Sequence, residues 1–308
     1  MLKSMPYYVA VMLCALLFSC GKNNEIIEKS TTPNPIFKGS DTEFEMIKEI
    51  NEQFSSTHSK AQKFEVQGGG SQTGIEALIK KDAIVANVSR KMTEDEQDRC
   101  RKNGIDPVEV IIAMDAIAII TNPKASIDSL SLLELRQIYQ GEITNWKEVG
   151  GADSPIHLYG REATSGTHDY MHHKVFRDAD ETNITQLNTT AEVIEAVKND
   201  PLGIGYVGIG SLTDLNGKPN ADVWATYIYI EGNEAHSPYE REAIRDGEYP
   251  LSRPLFQYFD GIPQGTLKEF LDFTLSPKGQ SIVKKHGYFP INDFHRQLNA
   301  YNGISTKD

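Results

Sequence analysis

Positive charge is in short supply. The chain carries 31 Lys and Arg against 43 Asp and Glu, a formal net charge of −12. That balance argues against nucleic acid, which calls for a basic face. It also gives an anion no long-range attraction, so any anion site must act locally. Long apolar runs are missing as well. The stretch 7–18 and the run 109–120 are both too short for a membrane-spanning helix, and the second is rich in β-branched residues. Cysteine is scarce: two of the three lie within the first twenty residues, which leaves Cys100 and no disulfide framework. Several catalytic signatures are absent too. The glycine run 68–70 has no Gly-Lys-Ser/Thr ending, so it is not a nucleotide loop. Ala163 and Thr167 occupy the glycine places of a Gly-x-Ser-x-Gly elbow around Ser165, which disfavours a serine hydrolase using Ser165 and His168.

What is present is enough for a folded core: 308 residues, 39% hydrophobic and 24% charged, room for one large domain or two ordinary ones. The first residues stand apart. Lys3 is the only charge before the apolar stretch 7–18, which reads as a secretory signal over 1–19. It ends Leu17-Phe18-Ser19-Cys20-Gly21, which resembles the lipobox of bacterial lipoproteins and implies cleavage before Cys20 and lipid on that cysteine. A plain signal peptide cut nearby is the alternative. Residues 20–35 are polar with two prolines and read as a tether.

From residue 36 onward strands alternate with helices, which predicts an α/β architecture with largely parallel sheets. The central stretch is 158–167. Ile156 and Leu158 mark a strand, 169–176 a helix, and between them lie Arg161, Ser165, Gly166 and Thr167. Such a loop sets unpaired N–H groups at a helix start and adds a guanidinium fork for an oxyanion. Read alone, it is also an ordinary helix cap. Three further hydroxyl-bearing loops follow predicted strands: Gly39-Ser40, Gly70-Ser71 and Ser89-Arg90. Helix 42–54 is expected after the first, with Ser40 and Glu43 at capping-box spacing. The run 108–122, apolar but for the single acid Asp115 after Glu109, suits two successive strands or one long strand crossing between domains. Residues 211–249 read as irregular, and the prolines of 249–258 suggest an edge or crossing strand. In parallel sheets ligands sit beyond the carboxyl ends of strands. Helix starts converging there would make a dry oxyanion site without a metal.

The order of these pieces resembles the phosphate-binding proteins of bacterial ABC transporters, the PstS family. Gly39-Ser40-Asp41-Thr42, Gly68-Gly69-Gly70-Ser71, Ser89-Arg90, Gly141-Glu142-Ile143-Thr144-Asn145-Trp146, Gly160-Arg161-Glu162 through Thr167, Gly203-Ile204-Gly205-Tyr206 and Tyr249-Pro250-Leu251-Ser252-Arg253-Pro254-Leu255 carry it. The resemblance implies a two-lobed periplasmic-binding-protein type II fold. Its anion cleft would lie between lobe I (36–120 plus 252–308) and lobe II (121–251), with crossings near 119–121 and 251–254. It implies phosphate contacts from Ser40, Thr42, Ser71, Arg161, Ser165, Gly166 and Thr167. Ser89 and Arg90 stand where many members carry an aspartate that accepts the phosphate proton. Asp41 could supply that acceptor instead, and Arg90 either adds a second cation or pairs with a neighbouring acid. The implied partners are inorganic phosphate, ABC permease subunits and, through the lipid, a bacterial membrane on its periplasmic or cell-surface side, with no cofactor and no enzymatic step. The missing aspartate keeps sulfate or arsenate open as the ligand. A phosphatase with Ser165 as nucleophile is the more distant alternative.

His168, His172 and His173 share one predicted helix, with His168 and His172 at i,i+4 spacing that could bind zinc. The sequence names no third ligand, so an exposed polar helix face is the expectation and no metal is assigned.

Overall fold

The computed structural model describes residues 35–58, 63–179, 181–214 and 218–305. The expected signal peptide, Cys20 and all of the tether but Pro35 lie outside the described residues. Three strand–helix pairs open the fold: β1 (Ile36–Gly39) and α1 (Phe44–Thr57), β2 (Glu65–Gln67) and α2 (Ser71–Ile79), β3 (Val85–Val88) and α3 (Glu94–Lys102). In α1 the 3.6-residue period places Met46, Ile47, Ile50 and Phe54 on one buried face. All four residues of β3 are buried, as expected of a strand covered on both sides. The apolar run forms one uninterrupted strand, β4 (Pro107–Thr121). Then come β5 (Ser129–Ser131), α4 (Leu132–Tyr139), β6 (His157–Arg161), α5 (Gly166–Met171), β7 (Ile184–Leu187), α6 (Thr190–Asn199) and β8 (Gly203–Gly208). The chain closes with β9 (Trp224–Tyr229), α7 (Arg241–Arg245), β10 (Ser252–Asp260), α8 (Gly265–Leu275), α9 (Pro277–Lys285) and α10 (Asp293–Tyr301).

The strands run in the order β2-β1-β3-β10-β4-β8-β6-β7, with β9 beside β4 and β5 beside β9. The pairs β1–β2, β1–β3, β6–β7 and β6–β8 are parallel, as expected. The middle is not: β10 is antiparallel to β3 and β4, and β4 to β8 and β9. β4 changes partner along its length. Ala116 is its last residue opposite β10, at Ser252, and Ile117 its first opposite β8, at Gly208. At that level Ile117 N–H donates to Leu251 O at 2.8 Å and Tyr249 OH donates to Ile117 O at 2.7 Å. The two long segments are therefore tied together where the sheet changes character.

Local expectations needed revision in three places. Of the edge and crossing alternatives for 249–258, the edge is excluded, since β10 lies between β3 and β4; Pro254 is tolerated because pairing with β3 begins only at Phe256. The stretch 211–249 contains β9 and α7. The polar surroundings of β9 hide its alternate buried positions, Thr226 and Ile228. Helix α1 begins at Phe44 with Glu43 as N-cap, so the expected capping box of Ser40 and Glu43 does not form. Ser40 lies too far before the first helical residue to reach its free N–H groups, and the Glu43 side chain turns into the core instead.

Candidate functional site

The hydroxyl-bearing loops all leave the carboxyl ends of strands. Ser40 follows β1 and is held by its own N–H donating to Asn87 O at 2.8 Å. Ser89 follows β3 directly, and Arg161 is the last residue of β6. Helices α1, α2 and α5 start from these loops, with Glu43, Gly70 and Ser165 as their N-caps. Only Ser165 caps with its side chain, its Oγ accepting from Thr167 N–H at 3.2 Å and His168 N–H at 3.4 Å. The backbone reason is plain at Gly70: at φ +90°, with Thr164 O only 2.6 Å from where a Cβ would sit, neither the conformation nor the space admits a side chain.

These starts meet. Thr42 Oγ1 lies 3.0 Å from Thr167 Oγ1, joining the beginnings of α1 and α5. Ser71 Oγ lies 3.2 Å from Ser89 Oγ and accepts from Ser89 N–H at 3.1 Å. Gln72 N–H donates to Thr164 O at 3.2 Å, so the loop before α5 rests on the start of α2. A Cβ at Gly166 would stand 2.2 Å from Ser71 Oγ and 2.7 Å from Ser89 Oγ, which leaves room for glycine alone. Ser40, Thr42, Ser71, Ser89, Ser165 and Thr167 are all buried. Positive helix ends and hydroxyls thus converge from segments more than a hundred residues apart.

Arg161, at the end of β6, is a buried cation, only 2% exposed. Its Nη1 donates to Thr190 Oγ1 at 3.0 Å, and its Nη2 donates to Asn188 O at 2.7 Å and Asp41 Oδ2 at 2.8 Å. Its Nε–H has no partner among the described residues. A buried guanidinium donor without an acceptor is costly. Asp41 is fixed on its other oxygen by Gly69 N–H at 2.8 Å. One carboxylate therefore braces both the arginine and the glycine loop.

Arg90 behaves differently. Its Nη1 and Nη2 donate to Glu96 Oε2 and Oε1 at 2.7 and 2.6 Å, and its Nε is 2.9 Å from Asp169 Oδ2. Of the two roles open to it from the sequence, the contacts are those of a pairing with neighbouring acids. His168 in α5 stacks on His172, just past the end of that helix, with the ring centroids 5.9 Å apart, but its Nε2 is 3.5 Å from Glu181 Oε2.

Two features of the site emerge only in the fold. Arg253 and Asp115 form a fully buried ion pair between β10 and β4, with Nε and Nη2 donating to Asp115 Oδ2 at 3.0 and 2.9 Å. The same guanidinium donates to Thr167 Oγ1 at 2.9 Å, Gly166 O at 3.2 Å and, weakly, Thr42 Oγ1 at 3.4 Å. From β10 it therefore orients Thr42, just ahead of α1, and Thr167 in α5. Burial pushes the Asp115 carboxyl above its ordinary range, against the pull of Arg253. A lone acid in an apolar run was the available signal, since such a group needs a buried cation. Glu43 is the second feature. Its side chain is wholly buried, and both carboxyl oxygens lack hydrogen-bond partners among the described residues. Burial raises its carboxyl well above the ordinary range, Asp115 adds to the shift, and Arg253 only partly opposes it.

Known proteins resemble this chain over most of its length. A model of the PBP superfamily domain matches residues 32–278. The phosphate-binding protein PstS of Borreliella burgdorferi is 29% identical over 305 residues, covering 94% of this chain and 99% of the relative. That of Bacillus subtilis is 31% identical over 233 residues, covering 74% of this chain and 71% of the relative. A crystal structure with bound phosphate, described as that of a candidate phosphate ABC transporter substrate-binding protein from Clostridium perfringens, superposes with a TM-score of 0.73 at 27% identity. That match covers 84% of this chain and 99% of the other. The two-lobed architecture, the convergent helix starts and these likenesses together place the chain in the PBP superfamily and, within it, in the PstS family.

Proposed function

We propose that this protein captures inorganic phosphate outside the cytoplasm and delivers it to an ABC permease, with no cofactor and no bond made or broken. The observation that carries the reading is the buried Nε–H of Arg161, without a partner among the described residues, on a guanidinium held by Asp41 just ahead of α1 and by Thr190 at the start of α6. A tetrahedral oxyanion would supply the missing acceptor and meet the hydroxyls of Ser40, Thr42, Ser71, Ser165 and Thr167 and the backbone at Gly166. In this reading Asp41 holds Arg161 and can also face a protonated phosphate oxygen. Ser89 lies in the binding shell. Arg90 contributes through Asp169, which lies in the first turn of α5. The engagement of the Ser165 hydroxyl as a helix cap supports binding over nucleophilic attack.

Lobe I would comprise 36–120 plus 252–308 and lobe II 121–251. The partner change of β4 between Ala116 and Ile117 supports a pivot there, with ligand biasing the lobes toward closure. Among the described residues no helix is long and apolar enough to cross a membrane. Attachment would come from lipid on Cys20, with the tether 20–35 holding the folded part off the bilayer. Titration calorimetry in phosphate-free buffer tests the reading: saturable heat with phosphate is expected, and its absence at neutral pH sinks it. Ser89, standing where many relatives carry the proton-accepting aspartate, favours a second reading in which sulfate or arsenate also binds. Sulfate competition at pH 5 and pH 8 separates the two.

A further inference from the structure

The histidines beyond the anion site sit beside a carboxylate that the sequence did not reveal. α5 ends at Met171, and the next five residues, His172–Phe176, wind in a wider π-turn. Arg177 and Asp178 then both take left-handed backbone, at φ 54° and 61°. π-turns and left-handed non-glycine residues are costly locally and recur at functional sites. Here they fold Asp178 back over the turn. On a regular helix, neighbours such as His172 and His173 point about 100° apart and do not face one another. In this turn one ligand atom each from His172, His173 and Asp178 lie within 4.8 Å of one another. His172 Nδ1 is 3.5 Å from Asp178 Oδ1, and His173 Nδ1 contacts the same oxygen. Ligands about 2.0–2.2 Å from a tetrahedral zinc ion stand roughly 3.3 Å apart; the His172–Asp178 separation is close to this, while His173 Nδ1 and Asp178 Oδ1 are in direct contact and would part to admit the ion.

The other side of the His173 ring supplies an independent observation. Its Nε2 lies 3.5 Å from Asp169 Oδ1, while Asp169 Oδ2 is 2.9 Å from Arg90 Nε. A carboxylate behind a ligating imidazole takes its distal N–H, leaves the lone pair on the metal-facing nitrogen and raises its basicity. Asp169 is itself paired with Arg90, which keeps its carboxylate beside the ring. His173 and Asp178 are both exposed, which gives an ion a path in and leaves a position for water. Two imidazoles and one carboxylate suit a borderline divalent transition metal over calcium or magnesium, which favour oxygen ligands.

We propose that His172, His173 and Asp178 bind a divalent transition-metal ion, zinc foremost, with Asp169 as the carboxylate that positions His173. The site departs from the plain polar helix face expected of these histidines. It does not depend on the phosphate reading.

The test is calorimetric titration of the full chain with zinc chloride, after chelator treatment and dialysis into phosphate-free buffer. One equivalent is expected to bind. His173→Ala and Asp178→Asn should each weaken binding at least tenfold, and Asp169→Asn should weaken it by about tenfold or more. His157→Ala removes an exposed histidine paired with Asp200 and should bind as the parent does. Circular dichroism of each variant shows whether its fold is kept. No saturable binding overturns the proposal, as does equal affinity in well-folded His173→Ala and Asp178→Asn. Unchanged affinity in Asp169→Asn would remove the positioning role alone.

Discussion

Replacing Glu43 by glutamine gives the sharpest test of how this core is built. The carboxyl is wholly buried, its oxygens have no hydrogen-bond partners among the described residues, and Asp115 lies close enough to add to the upward shift. It is therefore held neutral in the folded protein while an unfolded chain ionises it near pH 4.3, the ordinary value to about a unit. The native state then binds one more proton than the unfolded state, so stability falls as pH rises. The slope is about 1.4 kcal/mol per pH unit, from the unfolded value up to the folded one. Below the unfolded value the penalty is absent. Glutamine matches the neutral acid in shape and cannot ionise, so Glu43→Gln should remove this slope. The assay is urea unfolding of both proteins from pH 5 to pH 8 in phosphate-free buffer. The stability difference should move in favour of glutamine as pH rises through the window, by up to about 1.4 kcal/mol per unit until the folded-state value is reached. Asp115, also raised, is common to both proteins; glutamine preserves its neutral neighbour, so it drops out of the difference. A difference that stays flat across this range refutes the reasoning, because it would mean that Glu43 is ionised in the fold or is reached by water.

Further outcomes are expected elsewhere. Arg161→Ala should weaken phosphate binding about a hundredfold or more in calorimetry, since a charged fork making several hydrogen bonds is lost. Arg253→Met should cost about 3–5 kcal/mol in urea unfolding by stranding Asp115, whereas adding Asp115→Leu should recover most of that loss. Gly166→Ala places a methyl 2.2 Å from Ser71 Oγ, so phosphate affinity should drop in calorimetry, with roughly 1–3 kcal/mol of lost stability. Cys20→Ala should move the protein from the detergent phase to the aqueous phase in phase partitioning of whole-cell extracts, because the lipid that would hold it has no attachment point.

Much of the site was legible because its chemistry is local. A glycine run before Ser71, or Arg161 four residues ahead of Ser165, writes its backbone and charge requirements into consecutive positions. The alternation of strand and helix exposed the general architecture for the same reason. The antiparallel centre was harder. The apolar run of β4 suits either sheet type, and only its neighbours decide which is formed. Pro254 pointed toward an edge, whereas the late start of β3 pairing makes room for it in the middle.

By itself the sequence determined which segments could offer hydroxyls, helix starts and a guanidinium to an anion, since those capacities belong to short stretches of chain. Only the tertiary structure decided what those groups do to one another. It set Arg253 against Asp115 across 138 residues, closed the core around Glu43, engaged Arg90 with Glu96 and Asp169, and brought Asp178 back to the histidines. Electrostatic pairing depends on distance in space, and no local pattern of residues encodes that distance.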